Sequence, residues 1–379
     1  MMKKLIVIPD SFKGTLSSSE ICGVIGEKAE KIFPSCQVAA LPVADGGEGT
    51  VDCFLQAMEG EKVSLTVTGP WFEPVESFYG RFGETAVIEM AAAAGLPMVG
   101  ERKDPSRTTT YGVGELIRHA IEQGAREIVL GMGGSCTNDG GCGCAAALGV
   151  EFLDEQGNAF TPIGATLSKI KAIRLEKAAK LLDGIHVTAM CDVENPMYGP
   201  TGAACIFGPQ KGADETMVSF LDEQVKSLAA KLETDLGCTG LAELEGSGAA
   251  GAFGAGAVAF LNAELKSGIE TVLDFVEFEE KLQGADAVFT GEGRFDSQSL
   301  HGKVISGIAK RMQGSGIPLY VLAGDLTEDV PEAYDCGITA LFSINRGAVP
   351  FEIARKHSRE NLAYVAENIF RTIKAGNIR

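Results

Sequence analysis

The chain reads as an α/β protein built on largely parallel sheets, and three observations carry that reading. Short apolar, β-branched runs alternate with segments of helical spacing, the pattern of strand–helix–strand units. Nearly every such run stops at a polar, glycine-bearing loop. Glycine itself is abundant, 48 of 379 residues, yet it forms no low-complexity tract. The usual share is near ~7 %.

The elements follow in order. Leu5 to Ile8 is a first strand ending at Pro9–Asp10. Ser17, with Glu20 three residues on, spells a capping box, and Ile21, Val24, Ile25 and Ile32 then recur at helical spacing. Residues 60–84 alternate like strands and hold the single tryptophan, Trp71. Thr85 to Ala91 is an apolar run, and Thr108 to Gln123 is helix-like. Glu127 to Leu130 is a strand running into GMGGSCTNDGGCGC (131–144), behind which Gly141 to Leu148 reads as an alanine-rich helix. Later strands are His186–Met190, Ala287–Phe289 and Leu319–Leu322; 232–256 reads as a loop-rich break. In open parallel sheets ligands bind beyond the carboxyl ends of the strands, so these loops are expected to assemble the site.

Composition bounds the function. Hydrophobic residues make up 45 % and charged residues 22 %, ordinary for a soluble globular protein. No apolar stretch reaches the ~18–20 residues of a membrane span. The apolar run in MMKKLIVIPDSFKG is shorter than a signal-peptide core of ~7–15, so a cytoplasmic enzyme is expected. The formal charge of −18 argues against nucleic acid, while leaving room for a locally positive site that holds an anionic metabolite. Ten cysteines in so long a chain read as reduced, buried small residues rather than a disulfide framework.

The 131–144 loop poses a choice between metal and phosphate. Cys136, Cys142 and Cys144 lack CxxC spacing and have no histidine near them in sequence, which disfavours zinc. A strand, the glycine turn Gly133–Gly134 and a following helix suit an anion held by backbone N–H groups. Ser135, Thr137 and Asn138 could add hydrogen bonds, and Asp139 could reach a metal. A tight packing turn is the blander alternative. GxxxxGK[ST] occurs nowhere. Gly246, Gly248 and Gly251 spell GxGxxG, but no apolar strand precedes them, against a dinucleotide fingerprint.

Five further loops mix acids, cations and glycine. PDSFKGTLSSSE offers Asp10, Ser11 and Lys13; VADGGEGT offers Asp45 and Glu48; MCDVENP offers Asp192. FTGEGRFDSQS packs Gly291, Glu292, Gly293, Arg294 and Asp296 together, and FGPQKGAD supplies Lys211. Lysine and arginine clamp phosphates, while aspartates hold magnesium and accept a substrate proton. Phosphoryl transfer asks for such electrostatic positioning and little covalent chemistry.

In sequence, PDSFKGTLS, PVADGGEGT, GGSCTNDGG, CDVENP, FGPQKGA and TGEGRFDSQS resemble the bacterial glycerate kinase type I family, from residue 4 to about 375. The resemblance implies ATP- and Mg²⁺-dependent phosphorylation of D-glycerate on the 2-hydroxyl, the 3-hydroxyl being the alternative. It further implies a discontinuous Rossmann-like domain (1–92 plus 285–379) and an inserted second α/β domain (93–284), with the site in the cleft between them. By the same resemblance Asp192 is the general base, and Arg294 and Lys13 hold the carboxylate or the transferring phosphoryl group. Asp296, Asp45 and Glu48 become candidates for Mg²⁺. Asp10, Ser11, Gly133, Gly134, Ser135, Thr137, Asn138, Lys211, Gly291 and Gly293 become candidates for phosphate and substrate. The family often has small residues where Cys136, Cys142 and Cys144 stand, which makes these cysteines fillers. No nucleic-acid or membrane partner is expected, and a homodimer is the default assembly of a soluble enzyme. The rivals are an NAD-dependent oxidoreductase and a non-enzymatic small-anion binding protein.

Overall fold

The computed structural model describes residues 2–44, 46–300, 303–326 and 330–376. The strands in chain order begin with β1 (Lys4–Val7) and β2 (Gln37–Ala40). β3 (Glu61–Thr68), β4 (Pro74–Phe82), β5 (Thr85–Glu89) and β6 (Glu127–Gly131) follow. Next come β7 (Glu151–Leu153), β8 (Ala159–Phe160), β9 (Ala172–Arg174), β10 (His186–Met190) and β11 (Glu264–Lys266). β12 (Ala287–Phe295), β13 (Leu319–Leu326) and β14 (Ala340–Ser343) complete the set.

The chain divides into two compact units. The first comprises segments 1–44, 52–59 and 269–379; the second comprises 45–51 and 60–268. The chain therefore passes between the units near 44, 51, 59 and 268, rather than near 92 and 285. The physical reason is strand pairing: β3, β4 and β5 hydrogen-bond in series to β6, which binds 61–89 to the middle segment.

The first unit carries a five-stranded sheet of order β14-β13-β12-β1-β2, parallel at every pairing. β1 leads to β2 on one side, and β12 leads to β13 and β14 on the other. The topological switch point, where parallel sheets gather ligands, thus lies between β1 and β12. The helix Ser18–Ile32 starts at the anticipated capping box: Ser17 Oγ accepts from Glu20 N, and Glu20 Oε2 accepts from Ser17 N at 2.8 Å. Its apolar stripe, Ile21, Val24, Ile25 and Ala29, enters a core with Leu5, Val7, Phe289 and Phe370. Each such side chain contributes roughly 1.5–3 kcal/mol on burial.

The second unit carries a six-stranded sheet of order β11-β10-β6-β5-β4-β3, parallel from β11 to β5 and antiparallel through β4 and β3. A small antiparallel sheet, β8-β7-β9, lies in the same unit. The alternation read in residues 60–84 is the β3–β4 hairpin. The stretch 232–256, expected as a loop-rich break, is one from 237 to 252 apart from the 3₁₀ turn Leu241–Glu243. Its ends hold the last turn of helix Glu215–Leu236 and part of helix Ala249–Leu261, whose residues 250–252 are left-handed. The glycines mask the helix in sequence, yet they let it pack closely: a Cβ on Gly254 would lie 2.0 Å from Gly246 O.

Candidate active site

In the first unit, the ladder between β1 and β12 continues past both strands: Asp10 N donates to Gly291 O at 2.8 Å. Thr290 Oγ1 donates to Ile8 O, also at 2.8 Å, and Asp10 Oδ1 accepts from Ser11 N at 2.6 Å. Asp10, Ser11 and the Gly291–Asp296 segment are therefore set side by side at the switch point. Gly291 is required by close approach, since a Cβ there would lie 2.2 Å from Leu322 O.

Lys13 is exposed, and Arg294 is largely so, with its Nε 3.7 Å from Asp296 Oδ2. A cavity of about 170 Å³ opens beside Lys13 and Gly293, with Phe12, Gly324, Asp325 and Asn345 also in its wall. Glu292 differs from its neighbours. It is buried at 8 % exposure, and its Oε1 has no hydrogen-bond partner among the described residues. Burial pushes its carboxyl up to about 7, helped by the negative charges of Asp10 and Asp296 and opposed by Ser299 and Lys303.

In the second unit, the loops after β6 and β10 meet the turn 246–252. Asp192 stands exposed two residues beyond β10, its Oδ1 accepting from Gly268 N at 2.8 Å. Gly248 N donates to Asn195 O at 2.8 Å, and Gly140 N donates to Gly251 O at 3.0 Å. Gly246, Gly248 and Gly251 follow a 3₁₀ turn, Leu241–Glu243, and not a strand, which removes the dinucleotide reading.

The 131–144 loop is tied inward. Asp139 is fully buried and accepts from Thr110 N (2.8 Å), Thr110 Oγ1 (2.9 Å), Gly141 N (3.1 Å) and Gly143 N (3.2 Å). Burial raises its carboxyl while these donors pull it down. The N–H groups of Gly141 and Gly143, at the start of helix Cys142–Leu148, are thereby spent on a side chain of the protein. Gly133 N is also committed, donating to Gly46 O at 2.9 Å. The N–H groups of Gly133, Gly141 and Gly143 are thus engaged within the protein.

Lys211, 2 % exposed, donates from Nζ to Ser135 Oγ at 2.8 Å and to Thr137 O at 2.7 Å. Burial lowers its ammonium to about 8. Thr137 Oγ1 and both polar atoms of the Asn138 amide are buried without any partner among the described residues. Cys136, Cys142 and Cys144 are buried free thiols; burial pushes Cys136 up to about 12 and the other two well above the ordinary range. Such thiols are inert fillers.

Of the three acids read as metal candidates, Asp45 lies outside the described residues, Glu48 is exposed, and Asp296 sits in the first unit's loop. Among the described residues no group of three or more His, Cys, Asp or Glu is placed to hold a metal. Mg²⁺ asks for less, because it keeps waters and takes one or two carboxylates with substrate phosphates. The orphaned Glu292 Oε1, with Asp10 and Asp296 acting on the same carboxyl, is a donor set of the right chemistry. Glu292 was visible in the sequence but unassigned, because its burial comes from the fold. The left-handed Ala250 and Ala252 had no signal, since alanine does not advertise that conformation.

Fold and loops together define a class: an α/β protein whose parallel strands end in acids, lysine and arginine, the equipment of a phosphotransferase. The comparisons narrow it. The sequence profile of the glycerate kinase family matches residues 5–374. A glycerate kinase of Bacillus subtilis strain 168 is 45 % identical over 374 residues, covering 98 % of each chain. A glycerate 2-kinase of Escherichia coli K12 is 42 % identical over 376 residues, again covering 98 % of each. A crystal structure from Salmonella typhimurium LT2, provisionally named glycerate kinase 2, superposes with a TM-score of 0.87 at 41 % identity over 100 % of both chains. The chain belongs to the glycerate kinase family.

Proposed function

We propose that this protein transfers the γ-phosphoryl group of ATP to the 2-hydroxyl of D-glycerate, giving 2-phosphoglycerate and ADP. The observation that carries the reading is the set of charged loops at the β1/β12 switch point, Asp10, Ser11 and Lys13 beside Gly291 to Asp296. The Bacillus relative named glycerate kinase and the Escherichia relative named glycerate 2-kinase support the substrate and the position.

The hydroxyl oxygen attacks the γ-phosphorus, the bond to the β,γ-bridging oxygen breaks, and the hydroxyl proton passes to Asp192. A carboxylate of ordinary basicity suffices, because proton transfer is late in a loose transition state. The Gly268 N–H on Oδ1 holds that carboxylate in one orientation. Lys13 and Arg294 supply positive charge to the phosphoryl group or the glycerate carboxylate. Glu292 and Asp296 would supply one or two carboxylates to Mg²⁺, which when bound neutralises triphosphate charge. Ser135 and Lys211 shape the acceptor loop from behind. The cytoplasm, where ATP is made, is the natural setting. No helix among the described residues is long and apolar enough to cross a membrane.

The test is ATP-dependent phosphate transfer to D-glycerate with Mg²⁺ present, followed by phosphorus NMR of the product. Turnover to 2-phosphoglycerate is expected. No turnover sinks the reading, and 3-phosphoglycerate as product moves the reaction to the other hydroxyl.

A further inference from the structure

Resting on that kinase reading, we propose that Thr137 and Asn138 read the non-reacting 3-hydroxyl of glycerate. The left-handed turn Ala250–Ala252 packs against their backbone.

The first observation is the orphaned atoms. Thr137 and Asn138 are 0 % exposed, and Thr137 Oγ1, Asn138 Oδ1 and Asn138 Nδ2 all lack partners among the described residues. Buried polar atoms are nearly always paired, so three adjacent exceptions point to a ligand that completes them. Their chemistry selects its type. A threonine hydroxyl gives and takes one proton, and an asparagine amide offers both a donor and an acceptor. The charges around them are already engaged: Asp139 accepts from four donors, and Lys211 Nζ donates to Ser135 Oγ and Thr137 O. The open positions are therefore neutral, and they match a group that both gives and accepts. Glycerate has three polar groups. Its carboxylate calls for a cation and its reacting hydroxyl for a base, which leaves the 3-hydroxyl.

The second observation is the turn packed against this pair. Ala250, Gly251 and Ala252 have φ of 53°, 71° and 67° in succession. Two of these are alanines in a region that L-residues avoid, so the turn is strained and persists only while its surroundings hold it. It packs against the backbone of the pair: a Cβ on Gly251 would be 2.2 Å from Thr137 O and 2.6 Å from Asn138 Cα. The turn is held in place, with Gly140 N donating to Gly251 O at 3.0 Å and Ala252 fully buried, so it fixes the backbone that carries the two side chains.

The experiment compares D-glycerate with D-lactate, which keeps the reacting hydroxyl and lacks the other. Sites built to hydrogen-bond a hydroxyl reject analogues without it by about 10⁴ or more. Wild type is expected to favour D-glycerate at least a hundredfold in kcat/KM. Thr137→Val and Asn138→Ala should each cut that ratio tenfold or more, with KM for ATP within twofold of wild type. An unchanged ratio, or a raised KM for ATP in place of lost discrimination, overturns the proposal. A melting measurement guards against misfolding as the cause. Thr137→Val replaces an unpaired hydroxyl with a methyl of the same shape, so Tm should hold or rise; a clear fall means the hydroxyl was already paired and overturns the assignment. If wild type turns over neither acid, the kinase reading itself has failed, which is a separate result.

Discussion

The two loop clusters are built on opposite plans. At the β1/β12 switch point the cations stand in solvent: Lys13 is exposed and the Arg294 side chain keeps 65 % of its surface. In and against the 131–144 loop the corresponding charges are interior: Asp139 is 0 % exposed, and Lys211, which donates to Ser135 and Thr137 of the loop, is 2 % exposed. Exposed charge lies open to an incoming polyanion, and its removal costs the fold little. Buried charge must be paired within the protein, and there it acts as structure. The same residue types, similarly set among glycines, thus carry different jobs according to burial.

Substitutions can break this contrast. Asp139→Ala orphans the donors of Thr110, Gly141 and Gly143 and should cost about 4 kcal/mol, read by chemical denaturation. Unchanged stability would mean that Asp139 is not the clasp of the loop. Asp192→Asn keeps the Oδ1 contact with Gly268 and should lower kcat by ~10² or more with an unaltered melting curve. Near-normal kcat would move the base elsewhere.

A paired experiment on the lysines sharpens the comparison. Lys13→Met should lower kcat/KM by about tenfold without loss of stability. Lys211→Met should instead cost about 2 kcal/mol of stability, because Ser135 Oγ and Thr137 O lose their donor. Equal behaviour of the two variants would erase the distinction between open and buried charge.

Glu292 is tested by pH. Its folded carboxyl titrates near 7, above the usual 4.5. Between those values the folded state holds more protons than the unfolded chain, so this group's contribution to stability falls as pH rises through the window. Glu292→Gln removes that dependence, and its Tm relative to wild type should be higher at pH 8 than at pH 5. An equal difference at both pH values would remove the raised titration. The smallest effect is expected from Cys142→Ala and Cys144→Ala, which should leave activity and metal content as in wild type; metal analysis showing stoichiometric zinc lost from the variants would contradict this.

Much of the fold was legible. The capping box at Ser17 and Glu20 located its helix, and the run Glu127–Leu130 located β6 and its loop, because local hydrogen bonding and side-chain period act over a few residues. The helix Ala249–Leu261 was missed, since its three glycines lower local propensity and are placed for backbone approach to distant segments. Within the site, the chemistry of Asp192, Lys13 and Arg294 could be read from residue type after a strand. The inward role of Asp139 could not: its partners Thr110, Gly141 and Gly143 are gathered from both sides of helix Tyr111–Glu122.

The sequence by itself determined the strand–loop–helix order, the loops that carry charge and the family, because these depend on neighbours along the chain. Tertiary structure alone decided which charges face water and which are enclosed. Burial raised Glu292, enclosed Lys211 and left Thr137 and Asn138 without partners. Desolvation and hydrogen-bond satisfaction are properties of what surrounds a group in space, and no local string encodes them.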